Sequence, residues 1–440
     1  MIEGINYLCS EIAVAINGKL IGKDEKIEAI TINSKEHSKA PSCFFAINGK
    51  RFNGADFIDE AIKNGARLVV TQEKINASVT VIYVENVVKA LGLLAKKHKG
   101  KTKIIAITGS NGKTTTKDMV ISILKTKYTV TGTIANLNNE IGTALTLLSI
   151  KNEDFCVVEM GMRALGEIEW LSYIAEPNVG VITNCGTAHI EKLGSRKNIF
   201  KAKTELLKYV KEYAILPNEN RFKKLNNDGI ERIYIDKKHK VKNINRCESS
   251  IRFDIDSCKS IEIDSIYMHD INNALIAYSI GRLFKLDDNQ IKEGFKNFKK
   301  EKNRGTIIAV NKFLILSDCY NASYESMRDA IFSIKAQFKN KRIAVLLGDM
   351  LELGEKSNKF HFKIGRLCKQ LKIDKLFVYG NFARYYIRGF NGGLEYKEFN
   401  EIPSKLSTEL DQTYVLLVKA SNSINFEKII EQMREIKNDK

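Results

Sequence analysis

The sequence predicts an α/β fold of three domains, and three observations lead to this prediction. The chain has 440 residues and is 44% hydrophobic, enough for about three cores at roughly 150 residues per domain. Runs of β-branched residues alternate with amphipathic stretches, as in sheets flanked by helices. Two basic segments of low hydrophobicity, 95–103 and 298–305, interrupt this alternation. We therefore expect domains at 1–98, 99–302 and 303–440.

The first domain is predicted to be small and of mixed α/β type. Its short apolar runs, CFFAING and RLVVTQ, lie on either side of GADFIDEAIKNGA, which has helical spacing. The middle domain is predicted to contain a largely parallel sheet, because KIIAIT, DFCVVEM, NVGVITN, YAILP and RIYI alternate with helical stretches. The last domain repeats this alternation with KFLILSD, KRIAVLLGD, DKLFVYG and YVLLVKA, which predicts a second nucleotide-binding type of fold.

Composition narrows the class of protein. The formal net charge is +18, which raises the hypothesis of nucleic-acid binding. The lysines are spread along the chain, however, and the densest run, DKKHKVKNINR, lacks interleaved aromatic residues that would stack on bases. We interpret the charge as a solvated surface that suits an anionic substrate, with no nucleic-acid partner.

The cysteines and the N-terminus predict a cytoplasmic location. The eight cysteines never approach CxxC spacing, and several lie in apolar runs such as FCVVEM, which indicates buried, reduced thiols rather than zinc sites or disulfides. No apolar run reaches the roughly 18 residues that a membrane span needs. The N-terminal segment carries an acid at position 3 and no basic region, so we expect neither a membrane span nor a signal peptide.

The motif with the most chemical content is TGSNGKTTT, which follows the apolar run KIIAIT. Gly109 and Gly112 permit a tight turn, and the helical spacing of KTTTKDMVISIL places Lys113 and Thr114 at the start of a helix. Backbone N–H groups at such a helix start bind phosphate, the lysine adds a positive charge, and the neighbouring hydroxyl can bind Mg²⁺. A common P-loop has glycine where this chain has Ile107, so we predict a shorter ATP-binding loop that begins at Gly109.

Several further motifs follow in order: NLNNEIGTALTLL, VVEMGMRALGEIEWLSYIAEPNVGVITNCGTAHIEKLGS, KAKTELL, MHDINNALIA, DCYNASYESM and LGDMLELGEKSNKFHFKIG. Together with the loop, they resemble the Mur ligase family, ATP-dependent amide ligases of cell-wall precursor assembly. The resemblance covers most of residues 103–365 and weakens at both ends. It is greatest to the branch that adds D-alanyl-D-alanine to a UDP-muramoyl tripeptide.

The resemblance implies a role for each domain and a mechanism. The N-terminal domain would bind the nucleotide-linked sugar-peptide donor, a central P-loop ATPase-like domain would bind ATP, and a C-terminal Rossmann-like domain would bind an amino-acid or dipeptide acceptor. The donor carboxylate would be phosphorylated to an acyl phosphate, which the acceptor amine would then attack. We also expect a monomer.

The expected catalytic residues include a magnesium site. Glu159 and His189 each follow a predicted parallel strand, the edge at which such sheets bind ligands. Taken alone, Glu159 could equally cap a helix or form an ion pair, a lone histidine is more often structural, and Lys203 would be a solvated cation. The resemblance implies instead that Thr114, Glu159, His189 and Lys203 bind Mg²⁺, with Lys203 converted by CO₂ into a carbamate. Lys113, Lys203, His189 and Glu159 are then the catalytic set.

Other site residues also come from the resemblance, and ordinary loop hydrogen bonding is the alternative for each. The expected ATP-binding residues are Gly109, Ser110, Asn111, Gly112, Lys113, Thr114, Thr115, Asn273, Arg304, Asp318 and Asn321. The expected substrate-binding residues are Ser34, Lys35, Asn138, Asn139, Lys419 and Ser421. Arg304 lies at the junction with the last domain, so it would reach the phosphates when the domains close.

The chain departs from the family pattern where the substrates are expected to bind. Asn33-Ser34-Lys35 replaces Asp-Ser-Arg, Lys419-Ala420-Ser421-Asn422 replaces Lys-Gly-Ser-Arg, and Tyr267 replaces a glycine. A lysine cannot form the two-pronged hydrogen bonds of an arginine. These departures leave open a relative with another donor or acceptor, such as a pseudomurein peptide ligase. A nucleic-acid-dependent P-loop ATPase is a further alternative.

Overall fold

The computed structural model describes residues 1–76, 78–187, 190–226, 229–310 and 313–435. Four β-sheets organise this part of the chain, and helices pack against them. The α/β class predicted from the sequence is confirmed. Among the described residues, the helices are all too short or too polar to cross a membrane.

The first sheet has six strands and is parallel at its centre. Its elements are β1 (Ile2–Leu8), β2 (Lys19–Ile21), β3 (Lys26–Thr31), β4 (Ser42–Phe45), β5 (Ala66–Thr71), β6 (Thr80–Tyr83), α1 (Cys9–Ala15), α2 (Ile58–Lys63) and α3 (Val87–His98). The strand order is β1-β3-β4-β5-β6-β2, and both edge strands are antiparallel to their neighbours. The helix α3 packs on two helices of the next sheet, so it joins the two units.

The central sheet is parallel throughout, as predicted. Its strands are β7 (Lys103–Thr108), β8 (Val130–Gly132), β9 (Phe155–Glu159), β10 (Val179–Ile182), β11 (Tyr213–Leu216) and β12 (Glu231–Tyr234). Its helices are α4 (Lys113–Leu124), α5 (Glu140–Leu148), α6 (Glu167–Ala175), α7 (Ile190–Leu193), α8 (Arg196–Thr204) and α9 (Asn220–Lys223). The order is β12-β11-β10-β7-β9-β8, and the inner strand β7 is almost fully buried because helices cover both faces.

A small antiparallel sheet follows, which the sequence patterns did not predict. Its elements are β13 (Val241–Arg246), β14 (Ile251–Ile255), β15 (Cys258–Ile263), α10 (Asp270–Leu283) and α11 (Asp288–Asn297). The lysine-rich run DKKHKVKNINR forms much of the edge strand β13, whose side chains are largely exposed. The helices α10 and α11 pack on α4, and so they support the helix that starts at Lys113.

The last sheet has six strands, of which five are parallel. Its strands are β16 (Thr306–Val310), β17 (Phe313–Ser317), β18 (Arg342–Leu347), β19 (Lys375–Val378), β20 (Leu394–Glu395) and β21 (Tyr414–Lys419). Its helices are α12 (Tyr324–Gln337), α13 (Ser357–Gln370), α14 (Ala383–Phe390), α15 (Ile402–Glu409) and α16 (Glu427–Glu435). The order is β16-β17-β21-β18-β19-β20, with β16 antiparallel at the edge.

Short 3-10 turns complete the regular structure. They span Gly54–Phe57, Glu205–Tyr209, Gly354–Lys356, Phe399–Glu401 and Asn422–Ile424. The basic segment 95–103 is only partly a connector between domains. Residues 95–98 form the last turn of α3, and β7 begins at Lys103. The apolar face of α3 requires this, because Leu91, Leu94 and Ala95 are buried in the core.

Candidate active site

Three neighbouring strand ends build the candidate active site. β10, β7 and β9 lie side by side and parallel, so their carboxyl ends meet at one edge of the sheet. The loop after β7 contains Gly109 to Gly112, β9 ends at Glu159, and β10 is followed by Thr183 and Asn184. Ile107 lies inside β7, which confirms that the loop begins later than in a common P-loop.

The residues after β10 hold the loop in place. The Asn111 carbonyl accepts hydrogen bonds from Thr183 Oγ1 at 2.6 Å and from Asn184 Nδ2 at 2.9 Å. The Asn111 N–H donates to Asn184 Oδ1 at 3.0 Å, and the Ser110 N–H donates to the Asn184 carbonyl at 3.1 Å. The loop conformation is therefore fixed by protein contacts before any phosphate binds.

Gly112 stands where the loop meets α4, and its position excludes a side chain. Its φ is 80°, in the left-handed region, and an added Cβ would lie 2.6 Å from Asn273 Oδ1. Asn273 Nδ2 in turn donates to Asp270 Oδ1 at 2.8 Å. Asn273, expected to bind the nucleotide, thus lies directly behind the loop and supports it from α10.

Glu159 is a buried acid whose two carboxylate oxygens both accept hydrogen bonds. It is 2% exposed, and its Oε2 accepts from Thr114 Oγ1 at 2.7 Å while its Oε1 accepts from Asn138 Nδ2 at 2.7 Å. Its backbone N–H donates to Thr133 Oγ1 at 2.9 Å. A hydroxyl and a carboxylate in contact are oxygen ligands of the kind Mg²⁺ prefers, and Mg²⁺ commonly takes few protein ligands beside substrate phosphates. Among the described residues, groups of three or more His, Cys, Asp and Glu that could hold a metal ion by themselves are absent.

Two lysines stand close behind the loop. Lys113 Nζ donates to the Gly109 carbonyl at 2.9 Å, and burial lowers the pKa of this lysine, an effect opposed by Glu159. Lys203 is only 1% exposed; burial and the nearby Lys113 charge together lower its pKa to about 7. Within the described part of the chain, Lys203 Nζ has neither a hydrogen bond nor an ion pair. A buried lysine with that pKa is neutral in a large fraction of molecules near pH 7.

The last sheet contributes the opposite wall. The Arg304 guanidinium lies over the Tyr320 ring at 3.5 Å, and its Nε donates to Glu301 Oε2 at 2.5 Å. Asp318 and Lys419, at the ends of the adjacent strands β17 and β21, form a buried ion pair of 2.6 Å. Lys419 Nζ also donates to the Asn321 carbonyl at 2.9 Å.

A cavity of about 880 Å³ joins these walls, within the usual range for ligand sites. Most of the predicted residues line it together, and these are Ser110, Asn111, Gly112, Lys113, Thr114, Thr115, Asn138, Asn139, Glu159, Arg304, Asp318, Asn321 and Lys419. Asn139 also caps α5, since its Oδ1 accepts from the Gly142 N–H at 2.8 Å. The cavity extends to Lys89 on α3, the helix that joins the first sheet to the central one. Residues from the units of all three large sheets therefore line it.

Of the predicted residues that the structure describes, six are not among those that line this cavity: Gly109, Lys203, Asn273, Ser34, Lys35 and Ser421. Ser34 is buried and donates to Glu60, while Lys35 is exposed on the first sheet's unit. Ser421 is buried, and its Oγ accepts from the Leu351 N–H at 3.0 Å. Gly109 packs against Thr183 at the base of the loop. His189 lies outside the described residues.

The structure also shows site residues that the sequence patterns did not single out. Thr133 orients Glu159, and Lys117 Nζ donates to the Thr133 carbonyl at 2.9 Å. Lys300 forms a buried ion pair with Asp270 at 2.7 Å, next to the cavity. Lys300 belongs to the basic segment 298–305, and its charge in such a run carried no signal that it would be buried.

The chain matches models of a known family along most of its length. The Mur ligase family catalytic domain matches residues 26–99, the Mur ligase middle domain 107–281, and the Mur ligase glutamate ligase domain 303–422.

Individual relatives extend over nearly all of the chain. The UDP-N-acetylmuramoyl-tripeptide--D-alanyl-D-alanine ligase of Bacillus subtilis (strain 168) is 33% identical over 419 residues, 89% of this chain and 90% of that protein. A crystal structure of MurF from Acinetobacter baumannii has a TM-score of 0.91 at 26% identity, covering 99% of this chain and 100% of that one. MurF ligase from Thermotoga maritima in complex with ADP has a TM-score of 0.85 at 29% identity, covering 92% and 97%.

Proposed function

The chain belongs to the Mur ligase family, and on that basis we propose that it joins D-alanyl-D-alanine to a UDP-N-acetylmuramoyl tripeptide at the expense of ATP. One observation carries this proposal. The loop, Lys113 and the Thr114–Glu159 pair line the same cavity as Arg304 and Lys419, so a phosphate cradle faces cations from another sheet. The ADP complex of the Thermotoga maritima relative supports ATP as the energy source.

In the first step, the donor carboxylate attacks the γ-phosphoryl group of ATP, and ADP leaves. Charge spreads over the phosphoryl oxygens in this transition state, so groups that are already oriented toward it lower the barrier. Lys113 is held at the loop and supplies a positive charge there. Arg304 supplies a second charge from the opposite wall.

In the second step, the acceptor amine attacks the acyl phosphate. A tetrahedral intermediate forms, phosphate leaves, and the amine loses a proton as the amide bond is made. The acyl phosphate reacts readily with water, so the site must exclude it. Contacts between the central unit and α12 would serve this purpose, such as the hydrogen bond of 2.5 Å that Thr187 Oγ1 donates to Glu325 Oε2.

Thr114 and Glu159 fit a Mg²⁺ ion that accompanies the nucleotide. The ion would neutralise phosphate charge and polarise the γ-phosphoryl group. Asn138 Nδ2 donates to the Glu159 carboxylate, and Thr133 Oγ1 accepts from the Glu159 backbone N–H, so the side chain and the backbone of this residue are both held in place. His189 is proposed as a further ligand by resemblance to the family.

Lys203 is proposed to react with CO₂ to form a carbamate. The neutral amine attacks the carbon of CO₂, the new N–C bond forms, and a proton is released. The observation that fits this step is the buried amine, which has a pKa of about 7 and lacks a carboxylate partner among the described residues. A carbamate would replace a buried cation by an anion beside Lys113, which relieves the repulsion between the two lysines.

The domain roles are proposed in the same way. Residues 1–98 would bind the donor, 99–302 ATP, and 303–440 the acceptor. The donor side of the cavity is formed by Lys89, Arg163 and Trp170, which offer two cations and an aromatic surface. Ser34 and Lys35 would contact the distal, nucleotide end of the donor, and Ser421 would support the acceptor side.

The cellular setting of this reaction is proposed to be the cytoplasm. All eight cysteines are unpaired, as in proteins of a reducing compartment. We also propose that the enzyme acts as a monomer. Light scattering of the purified protein, with and without substrates, tests this.

A ligation assay tests the proposed function. The purified protein is incubated with ATP, Mg²⁺, UDP-N-acetylmuramoyl tripeptide and D-alanyl-D-alanine, and phosphate release and product mass are followed. We expect phosphate release that requires both substrates, and a product whose mass equals that of the donor plus one dipeptide less one water. Pseudomurein-type peptides and single amino acids serve as alternative substrates, and ligation of one of those alone would reassign the donor or acceptor. ATP hydrolysis stimulated by DNA or RNA, without any ligation, would contradict the proposal.

A further inference from the structure

Tyr267 connects the central unit to the last sheet at the rim of the cavity. It precedes α10 and is 4% exposed, and its hydroxyl donates to Asp318 Oδ2 at 2.8 Å. Asp318 follows β17, so this hydrogen bond joins the segment before α10 to the last sheet. The same carboxylate also receives Lys419 Nζ at 2.6 Å, and both Tyr267 and Lys419 line the cavity.

The Tyr267 ring also packs on the segment that joins the two units. Gly305 has a φ of 82°, and a Cβ added there would lie 2.7 Å from Tyr267 Cζ, closer than real Cβ contacts come. Gly305 follows Arg304 directly, and β16 starts at Thr306. The ring thus presses against the joining segment one residue away from the guanidinium that faces the phosphate loop.

Charged and aromatic neighbours hold the ring from its other side. His269 stacks on it with ring centroids 5.1 Å apart, and Lys300 Nζ lies 4.6 Å from the ring centroid. Lys300 is fixed by its ion pair with Asp270, which also receives Asn273 from behind the phosphate loop. The ring is therefore anchored to the same helix that supports the loop.

We propose that Tyr267 is a positioning residue that fastens the last sheet in the arrangement where Arg304 and Lys419 face the phosphate loop. The inference rests on the proposed ATP site and adds a determinant of its assembly. The hydroxyl contact with Asp318 exists only when the two units are docked, so it stabilises the docked arrangement relative to any separated one. A smaller docked fraction lowers apparent nucleotide affinity in proportion.

The test compares Tyr267→Phe with Tyr278→Phe. Both remove one buried hydroxyl, but Tyr278 lies on α10, where its oxygen accepts from Arg282 Nε at 3.0 Å within the central unit. The loss of a hydrogen bond to a charged group implies about a tenfold change in the docking equilibrium. Hydrogen exchange of residues 305–321 without substrates reports the separated fraction directly and should quicken about tenfold in Tyr267→Phe. The KM for ATP follows the docked fraction and should rise by no more than this factor, with kcat within about twofold. Tyr278→Phe should leave both unchanged.

Hydrogen exchange separates this inference from the proposed function. Faster exchange at 305–321 in Tyr267→Phe supports the inference even if the parent protein ligates no substrate. Exchange equal to that of Tyr278→Phe would overturn it. A fall in kcat at unchanged KM would also overturn it, because that result assigns the hydroxyl to the chemical step.

Discussion

The substitution Gly112→Ala tests whether the phosphate loop depends on its close approach to Asn273. A left-handed backbone costs an alanine about 1–2 kcal/mol. Alanine also restricts the unfolded chain more than glycine does, which offsets about 0.4–1 kcal/mol of this loss of stability. At Gly112, the added Cβ also meets Asn273 Oδ1 at 2.6 Å, and overpacking of this kind costs about 1–3 kcal/mol more. The free energy of unfolding should therefore fall by about 1–5 kcal/mol.

Gly229→Ala is the matched control. Gly229 has a φ of 79°, close to the 80° of Gly112, but no atom of the residues that the structure describes lies within 4 Å of an added Cβ. Its substitution should cost only the backbone strain, about 1 kcal/mol. The assay is urea unfolding of both variants, with nucleotide affinity measured by calorimetry. We expect ADP affinity to fall at least about tenfold in Gly112→Ala alone, because displacing Asn273 shifts the start of α4. Equal stability losses with unchanged affinity would refute this reasoning.

Three further predictions concern buried polar groups. Thr133→Val leaves the Glu159 backbone N–H unpaired, which should lower the free energy of unfolding by about 1–3 kcal/mol. It should also raise the Mg²⁺ concentration needed for half-maximal activity. An unaltered Mg²⁺ titration would contradict this prediction. The Lys203→Ala variant should be unable to ligate and should recover part of the activity when short-chain carboxylic acids are added. The variant of the exposed neighbour, Lys201→Ala, should stay active. If Lys203→Ala were as active as the parent protein, the proposed carbamate would be wrong. Burial alone would raise the pKa of Asp270, but the ion pair with Lys300 holds that pKa at about 2. The ionised carboxylate therefore stabilises the fold fully above about pH 4, and this stabilisation is lost as pH falls toward 2. In Asp270→Asn the free energy of unfolding should not show this loss at acid pH, and a pH profile identical to that of the parent protein would contradict the prediction.

The sequence predicted the centre of the site because its signals there are local. Gly109, Gly112 and Lys113 follow one apolar run, and the rule that parallel strands end at a common edge brings Glu159 beside them. Thr133 gave no such signal, because its hydroxyl acts through a backbone N–H on a neighbouring strand. Antiparallel β13 was missed since its exposed, lysine-rich sequence lacks the alternation that predicts a strand.

The residues that bind the donor and the acceptor were harder to predict than the phosphate site, for a physical reason. Phosphoryl transfer needs fixed charges at fixed places, so Lys113, Thr114 and Glu159 are recognisable by type and spacing. Recognition of a sugar-peptide or a dipeptide can be met by many polar groups, and the structure illustrates this. Ser34 is bound to Glu60 rather than free, whereas Lys89 and Arg163, which matched no motif, line the cavity. We therefore expect exchanges of the cavity side chains on α3 and after β9 to alter donor preference more than exchanges at Lys35.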